Sequence, residues 1–326
     1  MAKNFHKILT LTVEECSKID ILAHELLSMG FNNDYRSFFN TAQLYSYKLP
    51  ERILNELSNF KFHQNLDSLI IRKNPYDDND IGLTPLDYRS PTDYSLNKAE
   101  IISTLYGILL GQPFSFETQR SGHIYNRIIP SPKLANVANN SSGFNYHFDF
   151  HTEDAFHPCR ADFMTLTCMR NNEQAVTQIS SLRGIEIEEK YKEILFQKIF
   201  KIRNNNIHKG VSYDYGNQSI LYGSKEEPFL AVNLANMDLN EYSLEVREAI
   251  NWLIAKLNVN KENIILEQGD CILINNLFAV HGRAKYNAKF DGYGRWLSRA
   301  YFSYDLNKSR HFRKSFESRI LQQQLY

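Results

Sequence analysis

The sequence predicts an α+β protein with a mainly β core and flanking helices. Helix patterns dominate the first half of the 326 residues, whereas runs with the period-two alternation of strands dominate the second half. The aromatic content of 13% suits a β-rich interior, and 43% hydrophobic residues suffice for a substantial core. Because the chain has no visible internal repeat or linker, a single domain over residues 1–326 is the simplest arrangement.

Helix signals come first along the chain. Thr12 and Glu15 form a capping-box pattern, in which each side chain satisfies a backbone amide of the other residue. The predicted helices of the first half span residues 12–29, a stretch from about residue 50, and residues 97–110. Residues 73–95 are rich in Asn, Asp, Pro and Tyr and predict a long loop, either a lid or binding segment or an inert insertion.

The clearest strand pattern covers residues 144–153. Phe144, Tyr146, Phe148 and Phe150 alternate with Asn145, His147, Asp149, His151 and Glu153, so that one face is aromatic and the other polar. A polar strand face is costly to bury unless it serves a site or meets water. Further strands are expected at 163–170, 229–238, 271–276 and 295–304, strand-like stretches at 114–129, and helices at 186–200, 242–257 and in the tail to residue 326.

The composition argues against several classes of protein. Basic and acidic residues balance at 37 each, whereas a generic nucleic-acid binder usually carries a basic excess. No segment reaches the ~20 apolar residues that span a bilayer, and the N-terminus lacks the apolar core of a signal peptide. The four cysteines are scattered without a C-x-x-C pair, which favours reduced thiols. We therefore expect a cytoplasmic small-molecule enzyme with no nucleic-acid or membrane partner; the oligomeric state stays open.

His151 and Glu153, with His281 far downstream, are the candidate metal ligands and catalytic residues. Two imidazoles and one carboxylate are the ligand set of non-haem Fe(II) oxygenases, and this set leaves positions open for a co-substrate and O2. In an extended strand alternate side chains share a face, so His151 and Glu153 can both reach one ion while Thr152 points away. A zinc peptidase would need the helical H-E-x-x-H motif, and structural zinc would need thiolates.

Because the chain has ten histidines, this pattern alone is a weak signal, but three blocks of sequence strengthen it. The blocks are His151-Thr-Glu-Asp-Ala-Phe-His-Pro158, Gly269-Asp-Cys-Ile-Leu-Ile-Asn-Asn276 with His281-Gly-Arg283, and Gly294-Arg-Trp-Leu-Ser-Arg299. Over about residues 110–305 they resemble the clavaminate synthase-like branch of the Fe(II)/2-oxoglutarate oxygenases, which includes hydroxylases of free arginine, asparagine and lysine. The resemblance implies a double-stranded β-helix (jelly-roll) at about 112–305, between a helical part at 1–111 and a tail at 306–326.

The resemblance also implies roles for residues outside the metal set. Arg295, fourteen residues after His281, matches the arginine that holds the far carboxylate of 2-oxoglutarate, and Arg299 matches the arginine that meets the substrate α-carboxylate. The two positions share a strand face, and a guanidinium can donate two parallel hydrogen bonds to a carboxylate. Thr177 resembles a threonine that binds 2-oxoglutarate.

Substrate contacts are expected from Gln119 and from the free oxygen of Glu153, both toward the amino group. For Gln119 and Thr177, a plain polar strand residue is an equal alternative. The predicted strand at 229–238 is expected to line the side-chain pocket through Asn233, with a turn or strand-end role as the alternative. Arginine-specific members carry acidic residues in this region, so lysine or another polar side chain is favoured over a guanidinium.

The implied reaction uses Fe(II), 2-oxoglutarate and O2 to hydroxylate C3 or C4 of a free L-amino acid, giving succinate and CO2. Because family halogenases lack the ligand carboxylate, Glu153 favours hydroxylation. Within the same family, a carrier-bound or peptide substrate, desaturation or ring closure are alternatives. A different class of function is a non-catalytic small-molecule-binding protein that retains the fold.

Overall fold

The computed structural model describes residues 5–31, 34–63, 65–86, 95–205, 208 and 215–323. Residues 87–94 of the predicted loop lie outside these ranges. The α-helices are α1 (Val13–Ser28), α2 (Tyr35–Ser46), α3 (Glu51–Phe62), α4 (Asp78–Ile81), α5 (Lys98–Leu110), α6 (Glu189–Leu195) and α7 (Leu244–Val259). Within the described ranges, no helix is long and apolar enough to cross a membrane.

The strands of the described residues form two main sheets and a hairpin. Their bounds are β1 (His6–Thr10), β2 (Ser68–Arg72), β3 (Gln112–Phe116), β4 (Asn126–Ile128), β5 (Phe148–His151), β6 (Phe163–Arg170), β7 (Val176–Ser181), β8 (Leu221–Gly223), β9 (Pro228–Leu230), β10 (Glu262–Ile265), β11 (Cys271–Asn275), β12 (Ala279–Arg283), β13 (Trp296–Ser303) and β14 (Ile320–Leu321). The larger sheet has the order β1-β2-β11-β6-β13-β3-β14, with β4 beside β13. The smaller sheet has the order β10-β7-β12-β5, and β8 pairs with β9.

An apolar core formed by both sheets includes Leu166 and Ile272 from the larger sheet and Ile179 and Ile264 from the smaller one. All residues of β6 and β13 are buried, because the helices cover the opposite face of the larger sheet. Helix-on-sheet and sheet-on-sheet layers are the expected way to bury strands of this kind. The α+β prediction with a β core is therefore confirmed in its coarse form.

Helix α5 is central to the helical layer. Reciprocal hydrogen bonds between Asn97 and Glu100 close its first turn, and nearly all of its side chains are buried. Gly107 lies so close to the Phe302 ring that a Cβ at this position would come within 2.1 Å of it. The helix therefore sits directly on β13, the strand that also carries Arg299.

Several predicted elements are confirmed and others are wrong. The capped helix after Thr12, the helices near residues 50 and 97, and the strand at 163–170 are present. The helical tail is wrong, because residues 306–312 form a 3-10 helix and β14 then pairs in parallel with β3. The helix predicted at 186–200 is shorter than expected, because only α6 forms there. The N-terminal part at 1–111, which was predicted to be helical, also supplies β1 and β2 to the larger sheet.

Candidate active site

The three candidate ligands meet where β5 and β12 pair. His281 stands directly opposite His151 in this antiparallel pair, and their rings are 4.3 Å apart between centroids. One ligand atom from each of His151, Glu153 and His281 lies within 4.8 Å of the others, and all three residues are buried. The Glu153 Oε2 atom is 3.5 Å from His281 Nε2 and 3.9 Å from His151 Nε2. Two imidazole nitrogens and a carboxylate oxygen at such separations fit a divalent iron ion.

The backbone at Glu153 is not the extended strand that the sequence predicted. Strand β5 ends at His151, so the alternating pattern of residues 144–153 overstates the strand at both ends. Glu153 begins a turn instead, and the next residue, Asp154, has a φ of 48°. The buried Asn276 side chain fixes this turn, since its Oδ1 accepts from Glu153 N at 2.7 Å and its Nδ2 donates to Glu153 O at 3.2 Å.

The surroundings of His151 keep it neutral and oriented. Its Nδ1–H donates to the Asp149 carbonyl at 2.9 Å, which leaves Nε2 directed at the ligand cluster. The Phe148 ring packs against the imidazole with centroids 4.4 Å apart. Burial, together with the nearby His281, lowers the pKa of His151 to about 3. A neutral imidazole with one nitrogen already bonded is the form that binds a metal.

Glu153 is held as a carboxylate by groups on β13. Burial alone would raise its pKa, but the Arg299 guanidinium and the neighbouring His281 hold the pKa of Glu153 well below its usual range. Arg299 Nη1 donates to Glu153 Oε2 at 2.8 Å, and the Tyr301 hydroxyl donates to Oε1 at 2.9 Å. Both oxygens are therefore oriented before any metal binds.

A pocket beside the ligands brings together two other predicted residues, Arg295 and Thr177. The register of β7 and β12 places Thr177 opposite Arg283, two residues along each strand from the pair formed by Ile179 and His281. The lining side chains are Ile128, Ser141, Phe148, Leu166, Thr177, His281, Arg283, Arg295, Leu297 and Arg299. Arg299 on β13, Arg295 just before this strand and Arg283 on β12 make the pocket cationic, which suits a dicarboxylate.

Gln119 and Asn233 both lie near the triad but contact different residues there. Gln119 is fully buried, where its Oε1 lies 3.1 Å from the Tyr301 hydroxyl oxygen and its Nε2 donates to Asp154 at 2.9 Å. Asn233 forms an isolated antiparallel bridge with His151. The strand predicted at 229–238 is mostly wrong, because β9 ends at residue 230 and residues 234–236 form a 3-10 helix.

The sequence indicated no role for several residues that shape the site, although three of them lie within the motifs quoted above. They are Tyr301, Asp154, His208, Asn276 and Arg283. Tyr301 lies two positions after Arg299 on the same strand, so the alternation that paired Arg295 with Arg299 could have found it. The contact of Asp154 with His208 Nε2 at 2.9 Å joins distant segments, and no local pattern indicates it.

Replacing Asn276 with alanine is expected to loosen the turn that carries Glu153. Each buried backbone group left without a partner costs about 1–3 kcal/mol of unfolding free energy, and losing support behind a ligand typically weakens metal binding about 10- to 100-fold. Denaturant unfolding and an Fe(II) titration measure the two effects. Asn258→Ala, which removes only a surface hydrogen bond to Ile254 O, is the control. Equal iron affinity in both variants would contradict the role given to Asn276.

The fold and the buried His-Glu-His cluster define a non-haem iron oxygenase. The chain belongs to the taurine catabolism dioxygenase TauD, TfdA family, whose family model matches residues 92–301. It is 28% identical to the enduracididine beta-hydroxylase of Streptomyces hygroscopicus over 96% of this chain and 99% of that protein. It is 33% identical to an L-lysine 4-hydroxylase of Flavobacterium johnsoniae over 83% of this chain and 75% of that protein.

A solved structure agrees with these relatives. The chain is similar to the non-heme iron oxygenase OrfP in complex with Fe and alpha-ketoglutaric acid, with a TM-score of 0.87 and 27% identity over 96% of this chain and 99% of that chain. The resemblance to clavaminate synthase-like enzymes that the sequence indicated is confirmed, and the chain is an Fe(II)/2-oxoglutarate-dependent oxygenase.

Proposed function

We propose that this enzyme hydroxylates an unactivated C3 or C4 carbon of a free L-amino acid with a polar side chain, lysine being favoured. The observation that carries the proposal is the position of Arg299, whose guanidinium is 2.8 Å from the ligand carboxylate of Glu153. Arg299 Nε is buried without a hydrogen-bond partner among the described residues, so it retains a donor for a carboxylate beside the triad. Relatives that hydroxylate enduracididine and lysine support the same substrate class.

His151, Glu153 and His281 would hold the iron, while Arg295 and Thr177 would hold 2-oxoglutarate in the adjoining pocket. When bound, iron with 2-oxoglutarate and O2 supplies the oxidising power that converts C–H to C–OH, with release of succinate and CO2. The chain itself supplies orientation and a buried, water-poor site. Retention of the Glu153 carboxylate supports hydroxylation over halogenation, because no position is left for a halide in its place.

The substrate would be bound through its two charged groups, the α-carboxylate and the α-ammonium. Arg299 would donate hydrogen bonds to the α-carboxylate, and Gln119 with the Glu153 carboxylate would meet the ammonium group. Asn233, beside His151, would face the substrate side chain. Residues 229–237 contain no Asp or Glu, which supports a lysine or amide side chain over a guanidinium.

We further infer that the two sheets form a double-stranded β-helix within a single domain of residues 1–326. Its core would not be limited to residues 112–305, because β1, β2 and β14 join the larger sheet. The balanced charge and scattered cysteines support a cytoplasmic enzyme whose partner is a small amino acid rather than nucleic acid or membrane.

The direct test is succinate release with each amino acid in turn. Protein is mixed anaerobically with Fe(II) and 2-oxoglutarate and then exposed to air with each of the standard amino acids, and mass spectrometry detects the gain of one oxygen. Hydroxylation of lysine or another polar amino acid supports the proposal. Turnover only on a carrier-bound or peptide substrate would replace it with the family alternative. Absence of succinate with every substrate would instead favour a non-catalytic binding protein.

Replacing Arg295 with alanine is expected to raise the KM for 2-oxoglutarate with a much smaller change in the KM for the amino acid. Hydrogen bonds to charged groups contribute about 1.5–3 kcal/mol, so the expected rise is roughly 10- to 150-fold. Initial rates of succinate formation at varied 2-oxoglutarate measure it. The matched control is Arg127→Ala, which removes an arginine that pairs with Glu100 outside the pocket. An unchanged KM in the Arg295 variant would reject this pocket as the co-substrate site.

A further inference from the structure

The proposed co-substrate pocket contains a buried arginine, Arg295, that has no ionic partner among the residues that the structure describes. Arg295 is 4% exposed, and its Nε has no hydrogen-bond partner among the described residues. Its backbone N–H is fixed by Glu173 Oε1 at 3.0 Å, but within the described ranges no carboxylate pairs with its guanidinium. A buried guanidinium therefore needs another group to set its position before the ligand arrives.

The aromatic ring of Tyr286 is such a group. The guanidinium carbon of Arg295 lies 5.5 Å from the centre of this ring, and that of Arg283 lies 5.1 Å from it. These distances fall within the range of cation–π attraction, which strengthens where water is excluded. One aromatic ring thus contacts two of the three arginines that line the pocket, Arg283 and Arg295.

Arg283 has a different attachment from Arg295. Its three guanidine nitrogens donate to the backbone carbonyls of Ala284, Ser141 and Tyr146 at 3.2, 3.2 and 3.3 Å. Two of these hydrogen bonds hold the segment that precedes β5, whereas no such bond anchors Arg295 Nε among the described residues. The Tyr286 backbone is fixed as well, because its N–H donates to Phe144 O at 3.1 Å.

We propose that Tyr286 is a positioning residue that presents the Arg295 guanidinium to the far carboxylate of 2-oxoglutarate. This inference rests on the proposed function, in which Arg295 binds that carboxylate. The Tyr286 hydroxyl is buried without a hydrogen-bond partner among the described residues, so the ring face and not the hydroxyl carries the interaction. Tyr286 acts through Arg295 and does not contact the reacting atoms.

The test compares two keto acids that differ only at the far end. Affinities of the anaerobic Fe(II) protein for 2-oxoglutarate and for 2-oxobutyrate, which lacks the far carboxylate, are measured by calorimetry. Tyr286→Phe keeps the ring and should change neither affinity by more than about two-fold. Tyr286→Leu should weaken 2-oxoglutarate binding about 3- to 30-fold and leave 2-oxobutyrate unaffected. In an Arg295→Ala background, Tyr286→Leu should have no further effect on 2-oxoglutarate binding.

The matched control is Tyr293→Leu. Tyr293 packs on the Arg170 guanidinium at 5.1 Å in the same loop, outside the pocket, so its loss should alter neither affinity. If Tyr286→Leu does not fold, Tyr286→Met removes the ring while filling more of its volume. Equal weakening of both keto acids, or an unchanged preference for 2-oxoglutarate, would overturn the positioning role alone. Failure of the unmodified protein to bind 2-oxoglutarate would overturn the proposed function itself.

Discussion

His281→Ala is expected to abolish hydroxylation and to weaken iron binding by at least about 100-fold. Loss of support behind a ligand already costs up to about 100-fold in metal affinity, and here the ligand itself is removed. The His281 Nε2 atom lies 3.5 Å from Glu153 Oε2 in the cluster of three candidate ligands. Without this imidazole, only His151 and Glu153 would remain to bind the iron. Iron content after desalting and succinate formation measure the two effects.

The control for this variant is His24→Ala, which removes an exposed histidine whose side chain is 59% accessible and lies 3.6 Å from Asp20. It should retain iron and full turnover. Unfolding measurements should show both variants folded, because strand pairing of β12 uses backbone groups that the substitution keeps. A His281 variant with normal iron content and activity would show that the metal lies elsewhere.

Arg299→Leu is expected to destabilise the metal-free protein by about 3–5 kcal/mol and to lower kcat/KM for the amino acid more than about 30-fold. The first effect arises because Glu153 would stay buried without its cationic partner. The second arises because the proposed α-carboxylate partner is lost from a desolvated site. Denaturant unfolding and steady-state kinetics measure them.

A metal titration separates these two roles of Arg299. Added Fe(II) or Mn(II) should recover part of the lost stability, since a bound cation replaces the guanidinium beside Glu153. Arg127→Leu breaks another ion pair with a buried carboxylate, between Arg127 and Glu100 at 2.9 Å, and provides the control. It should lose stability without recovery by metal and with an unchanged KM. If the KM for the amino acid is also unchanged in the Arg299 variant, the substrate carboxylate binds elsewhere.

The sequence by itself determined the chemistry of the site. The residue types and spacing of His151, Glu153 and His281 predicted one cluster, and the structure brings those three side chains together. Arg295 and Arg299 were predicted on one face of one strand, and both line one pocket. Strand periodicity predicted that His151 and Glu153 share a face. His281, Arg295 and Arg299 were predicted from separate motifs that resemble those of the clavaminate synthase-like oxygenases.

Only the tertiary structure decided how each group is held. Three contacts join residues that are distant in sequence and that no local pattern relates. They are the hydrogen bonds of Asn276 to the Glu153 backbone, the hydrogen bond of Tyr301 to the Glu153 carboxylate, and the packing of the Tyr286 ring against two arginines. The same applies to β1, β2 and β14, which complete a sheet otherwise built from the central part of the chain. Pairing and burial between distant segments override local propensity, so the helix predicted for the tail gave way to a strand that fills the sheet edge.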